Sequence, residues 1–132
     1  MTVPVRGMPD VEAMLVEWLY GQLGGVDVRT DLYVGFEDRL PLVQVVRIGG
    51  GMSHNAILIE PRLDIDVYAA TRVAASDLAH QIEALMPAMR NIAVAGGLVT
   101  KVIEEIGPSY RPDVNPHTYR FGMTYQLVIR PA

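Results

Sequence analysis

At 132 residues, half of them apolar and a fifth charged, the chain has the length and hydrophobic content for one domain with one core, and too much apolar material for a disordered chain. A formal charge of -4 argues against a surface that grips nucleic acid by neutralising phosphates, which needs clustered Lys and Arg. Cysteine is absent, which rules out disulfides, thiolate metal sites and cysteine nucleophiles, and no apolar run approaches the roughly 20 residues that a membrane-spanning helix needs. Residues 1–9 carry one arginine and lack the long apolar stretch of a secretory signal, so synthesis in a cytoplasm is the expectation.

The first periodic segment is 10–23, where Val11, Met14, Leu15, Trp18 and Leu19 recur at three- and four-residue spacing. That pattern predicts an amphipathic helix. Pro9 and Asp10 supply its start, Glu12 sits in the positive first turn, and Gly24-Gly25 ends it. The period then drops to two, with Val26, Val28, Thr30 and Leu32 alternating against Asp27, Arg29 and Asp31, as in a strand with one buried face. A polar break at 35–41 precedes the nearly all-apolar, β-branched run 42–48, the pattern of a central strand covered on both sides. Gly49-Gly50-Gly51 closes that run.

Leu63, Ile65, Val67 and Ala69 alternate with Arg62, Asp64, Asp66 and Tyr68, which predicts a third strand. From Thr71, a candidate N-cap, Ala75, Leu78, Ala79, Ile82, Leu85 and Met86 restore helical spacing, and Pro87 ends or kinks the helix by removing a hydrogen bond. After Gly96-Gly97, residues 98–106 are rich in Val and Ile but alternate poorly, so their pairing face is undetermined. Pro108, Pro112, Pro116 and Gly107 predict an extended loop over 107–116. Tyr119, Phe121, Met123, Tyr125, Leu127 and Ile129 then alternate with polar neighbours in a strand of about a dozen residues. The order lacks a βαβ rhythm and points to a single α+β domain over 1–132, with a mostly antiparallel sheet of about five strands and two helices packed on one face. The long last strand is either central or an exposed edge that pairs with a neighbouring subunit.

Little in the chain suggests catalysis. Asp64 and Asp66 share a strand face and so invite a divalent cation or acid-base chemistry, but alternating acids on a wet face are more often solvated or salt-bridged to a partner. His54, His80 and His117 lack zinc-motif spacing, and Ser53 beside His54 has no elbow motif and no fixed orienting acid. The triple glycine lacks the Lys and Ser/Thr of a nucleotide loop and reads as a turn. No catalytic residue, cofactor or metal is expected.

The order of elements, with Leu40-Pro41-Leu42-Val43-Gln44-Val45, Ile48-Gly49-Gly50, residues 62–69, Arg111-Pro112-Asp113 and His117-Thr118-Tyr119-Arg120-Phe121, resembles the tail terminator (tail-completion) proteins of long-tailed phages. The resemblance covers nearly the whole chain. It implies a homo-hexameric ring at the head-proximal end of the virion tail, which caps the tail tube, stops its polymerisation and meets the head connector. DNA would pass through the lumen as cargo, for which an acidic chain is suited because it does not hold phosphates. The loops at 35–39, 49–57 and 107–117 are then the candidate contacts with other subunits, tube or connector, and the candidate contact side chains on these loops and on the strand at 62–69 are Arg39, His54, Arg62, Asp64, Asp66, Arg111 and Asp113. Two alternatives stand beside this reading: another head-tail joining or neck protein, and a small metal-dependent enzyme built on Asp64 and Asp66.

Overall fold

A computed structural model describes residues 7–53, 57–113 and 115–132. Helix α1 is Val11–Gln22, and the Asp10 carboxylate caps it by accepting from the Ala13 N–H at 3.2 Å. Its buried residues are Val11, Met14, Leu15, Trp18 and Leu19, the face that periodicity predicted. Strand β1, Asp27–Arg29, is shorter than the alternation over 26–32 suggested. Its ladder stops because the next carbonyl, of Thr30, accepts from the Gln44 side chain at 3.2 Å.

The remaining elements are β2 (Leu42–Gly49), β3 (Arg62–Ala69), α2 (Arg72–Leu85), β4 (Ala93–Val94), β5 (Gly97–Tyr110) and β6 (Tyr119–Pro131). Thr71 caps α2 through the Ala74 N–H, and beyond Leu85 the chain tightens into a 3-10 turn, Met86–Met89, around Pro87. The sheet order is β1-β2-β3-β6-β5-β4, with β1 parallel to β2 and every other pairing antiparallel. The α+β class with a mostly antiparallel sheet holds, with six strands where about five were expected, because β4 is a two-residue strand outside the reach of alternation arguments.

One open alternative is decided and two other expectations change. β6 lies between β3 and β5, so the long final strand is central and not an edge. β2 is covered on both faces only near its start, where Leu42, Val43 and Val45 are buried, whereas Ile48 is exposed. The predicted loop over 107–116 begins too early, since β5 continues through Gly107 and Pro108 to Tyr110. Register shifts near Thr100, Glu105 and Gly107-Pro108 admit those residues to the strand, and each shift breaks the inward-outward parity, which is why 98–106 alternates poorly in sequence.

One core holds the fold together. Met14, Leu15 and Leu19 of α1 and Ala75, Ala79 and Ile82 of α2 pack with Val43, Val45, Leu63, Ile65, Val67, Met123, Leu127 and Ile129 from one face of the sheet. Burial of each such Leu, Ile or Met contributes about 1.5–3 kcal/mol. The connection from β2 to β3 folds back on this frame: Ile59 and Ile129 exchange backbone bonds of 2.8 and 2.9 Å, and the Leu127 N–H reaches the Pro61 carbonyl at 3.0 Å.

Within the glycine triplet only Gly50 is constrained by its surroundings. Its φ is +82°, and a Cβ there would overlap the Glu60 carbonyl and Pro61. Gly51, by contrast, faces open space. Gly50→Ala is therefore expected to cost roughly 2 kcal/mol or more in urea unfolding, while Gly51→Ala stays within about 0.5 kcal/mol of the parent.

Candidate functional site

The face of the sheet turned away from the core carries the one dense charged cluster among the described residues. β3 sends Asp64, Asp66 and Tyr68 to it, and β6, whose Gly122 pairs directly with Asp66, adds Arg120 and Thr124. The backbone after β5 then returns over this face, its Arg111 N–H donating to the Arg120 carbonyl at 2.9 Å. Gly122 makes the approach feasible: a Cβ there would overlap both the Asp66 carboxylate and the Arg111 guanidinium.

Asp66 is only 4% exposed, so its charge needs partners. Arg111 donates to one oxygen at 3.1 Å and Arg120 to the other at 2.8 Å. The Asp66 hydrogen bond, ahead of a smaller opposing effect of burial, pushes the Arg120 guanidinium further up in pKa. Arg111 also donates to the Thr124 hydroxyl at 3.3 Å and lies 3.6 Å from Asp64, and Thr124 itself donates to Asp64 at 2.6 Å. Arg120 sits 5.8 Å from the centre of the Tyr68 ring. Beside the cluster Arg62 grips Glu105 with two bonds of 2.7 and 2.9 Å. Between them lies an open groove of about 490 Å³ lined by Ile48, Arg62, Asp64, Glu105, Ile106 and Arg111.

Of the candidate side chains, Asp64, Asp66 and Arg111 meet in this cluster, and half-buried Asp113 is close enough to act electrostatically on Arg120 and Tyr68. Arg62 is a neighbour. Arg39 stands apart, exposed on the turn before β2, and His54 lies outside the described residues, as does any geometry between it and Ser53. Arg120, Gly122, Thr124 and Glu105 were not foreseen. The signal for the first three was present, because they alternate with the core residues of the last strand, but their pairing with Asp64 and Asp66 required the β3–β6 register.

The reading of Asp64 and Asp66 as solvated or partner-facing acids changes for Asp66, which is buried and satisfied within its own chain. Both its oxygens are held by guanidinium groups, an arrangement that repels a cation. No group of three or more His, Asp or Glu among the described residues is placed to hold a metal. The cluster is a clamp that fastens the segment after β5 onto the sheet and shapes the surface around it.

Residues 7–132 match the family model described as phage tail termination protein. The chain belongs to the phage tail terminator family. No curated protein matches it. As a tail terminator family member it is a structural protein of the phage tail, one that works by contact with tail and head-proximal proteins, so the clamp bears on the shape of a contact surface. No helix is long and apolar enough to cross a membrane among the described residues.

Removing the Asp66 carboxylate leaves two guanidinium groups facing each other. Their side chains are 25% and 30% exposed, so water screens part of the repulsion, and Asp66→Ala is expected to cost roughly 2–4 kcal/mol in equilibrium unfolding, less than a fully buried pair. In a double-mutant cycle with Arg120→Ala the two losses should be non-additive by more than about 0.5 kcal/mol; additive losses would remove the clamp from the account.

On the core side Tyr125 is held well above the usual tyrosine range, by burial first and then by Glu104, to which its hydroxyl donates at 3.2 Å. Burial also raises Tyr68. Below about pH 10 folded and unfolded chains both keep these protons, whereas above it the unfolded chain releases protons that the folded chain retains. Stability should therefore fall as pH rises past that point, and denaturation midpoints from pH 8 to 12 should fall less steeply for Tyr125→Phe.

Proposed function

We propose that copies of this chain close into a hexameric ring that caps the tail tube, stops its polymerisation and joins it to the head connector. The observation that carries this reading is the family match over residues 7–132, nearly the whole chain. The surface is consistent with it: Ile48, Met52, Ile57, Ile103 and Ile106 are all more than 40% exposed on one small chain, and apolar side chains in that position gain from being covered by a neighbour. DNA is passing cargo in the lumen, and the net charge of -4 leaves the chain without a general affinity for phosphate.

In this reading exposed Arg39 and Arg62 meet other subunits, tube or connector directly, and Asp113 and His54 are further candidate contacts. Arg111, Asp64 and Asp66 act one step back, by holding the segment that begins at Arg111 in the shape its partner meets. Light scattering on the purified chain across a range of concentrations separates a 14.5 kDa subunit from its hexamer. A hexamer that also halts growth of tail tubes is the expected result. A chain that binds the connector protein but leaves tube length unchanged would be a neck adaptor instead.

A further inference from the structure

We propose that the seam between neighbouring subunits joins the outer edge of β5 on one copy, with Arg90 and Lys101, to the acidic groove beside the start of α1 on the next. The inference rests on the ring reading above and names the surfaces that build it.

The two ends of the strand order differ in what they present. At one end, β4 pairs only with Gly97 and Leu98, and Val99 is tied to Asn91 and Ile92 by bonds of 2.7 and 3.0 Å. From Thr100 to Tyr110 no strand pairs with the outer side of β5 among the described residues, which leaves a long open edge. At the other end β1 covers β2 only from Leu42 to Gln44, and the Glu12 carboxylate accepts the Arg47 backbone N–H at 2.9 Å. That end is blunted and offers a groove in place of an edge.

The charges at the two ends are opposite. Lys101 is the one lysine of the chain, and it and Arg90 are exposed with no ion pair among the described residues. Further along β5 Glu105 is paired with Arg62, whereas Glu104 accepts from the neutral Tyr125 hydroxyl and stands beside Glu83, so the positive patch is confined to the start of the edge, at Arg90 and Lys101. The groove at the other end, of about 430 Å³, has Ala13 and Val16 in its wall and Asp10, Glu12 and Asp31 around it. Its one cation, Arg29, is held by Asp27 at 2.8 Å.

An apolar wall with a carboxylate rim fits an aliphatic stem that ends in a cation, which is the shape of Lys101. The occupant is a second copy of this chain. Head-to-tail contact sets the basic start of each edge against an acidic groove. A contact of that kind repeats from copy to copy until the ring closes.

The test uses two charge reversals in the full chain, Lys101→Glu and Asp31→Lys, with folding checked by circular dichroism and mass by light scattering. Each variant alone should need about tenfold or more higher concentration to assemble by half. An equimolar mixture of the two should regain the wild-type mass, because each reversed edge then meets a reversed groove and each native edge a native one. If both variants assemble like the wild type, or the mixture stays dissociated beside an assembled wild type, the seam lies elsewhere and the ring reading stands. A wild-type chain that stays monomeric at every concentration overturns the ring reading, and this seam with it.

Discussion

The antiparallel pairing of β3 with β6 sets the position of nearly everything else. Over the eight pairs from Arg62–Gln126 to Ala69–Tyr119 it places Leu63, Ile65 and Val67 beside Tyr125, Met123 and Phe121 on the core face, where both helices pack. The same register puts Asp64, Asp66, Arg120 and Thr124 on the opposite face. A slip of one residue would send the carboxylates into the core and the aliphatic side chains to water, so the register is strongly specified. Asp66 falls directly opposite Gly122, the place where a second layer of chain has room to approach.

That approach determines how the end of β5 is held. Tyr110 pairs with Phe121 on the core side, and the Arg72 guanidinium lies 4.2 Å from its ring centre. The next residue, Arg111, points to the other face and grips Asp66. One strand end is thus pinned from both sides by arginines from different parts of the chain. This explains why a Gly-Pro pair, which by composition belongs in a loop, is drawn into the sheet: the flanking contacts and bulges outweigh the missing proline N–H. For a protein that acts by contact, a pinned segment has a further consequence, since a surface already ordered loses less entropy when a partner docks.

The charge of the chain is distributed in a way its net value hides. Most arginines near the cluster are committed internally, Arg62 to Glu105 and Arg111 and Arg120 to Asp66. Outside the cluster, Arg90 and Lys101 stand exposed at the start of the open β5 edge, and Asp10, Glu12 and Asp31 gather beside α1. Complementary patches of this kind orient encounters between copies more than they strengthen them, and their range falls with salt.

Periodicity alone determined the two helices, the strands at 62–69 and 118–130, and which residues of these face the core, because those signals are local and depend on 3.6- and 2-residue repeats; the strand at 42–48 was legible from its apolar run, but not which of its residues are buried. It also made Asp64 and Asp66 visible as a same-face pair, and Asp10, Thr71 and Pro87 as helix boundaries. Only the tertiary structure decided that the last strand is central, that β5 runs on to Tyr110, and that Asp66 is buried between Arg111 and Arg120. Those facts depend on register between segments about 45 to 55 residues apart in sequence and on bulges that reset the parity of side chains. The reason is physical: a strand's pattern says that one face is buried, but the partner that buries it is chosen by the packing of the whole sheet.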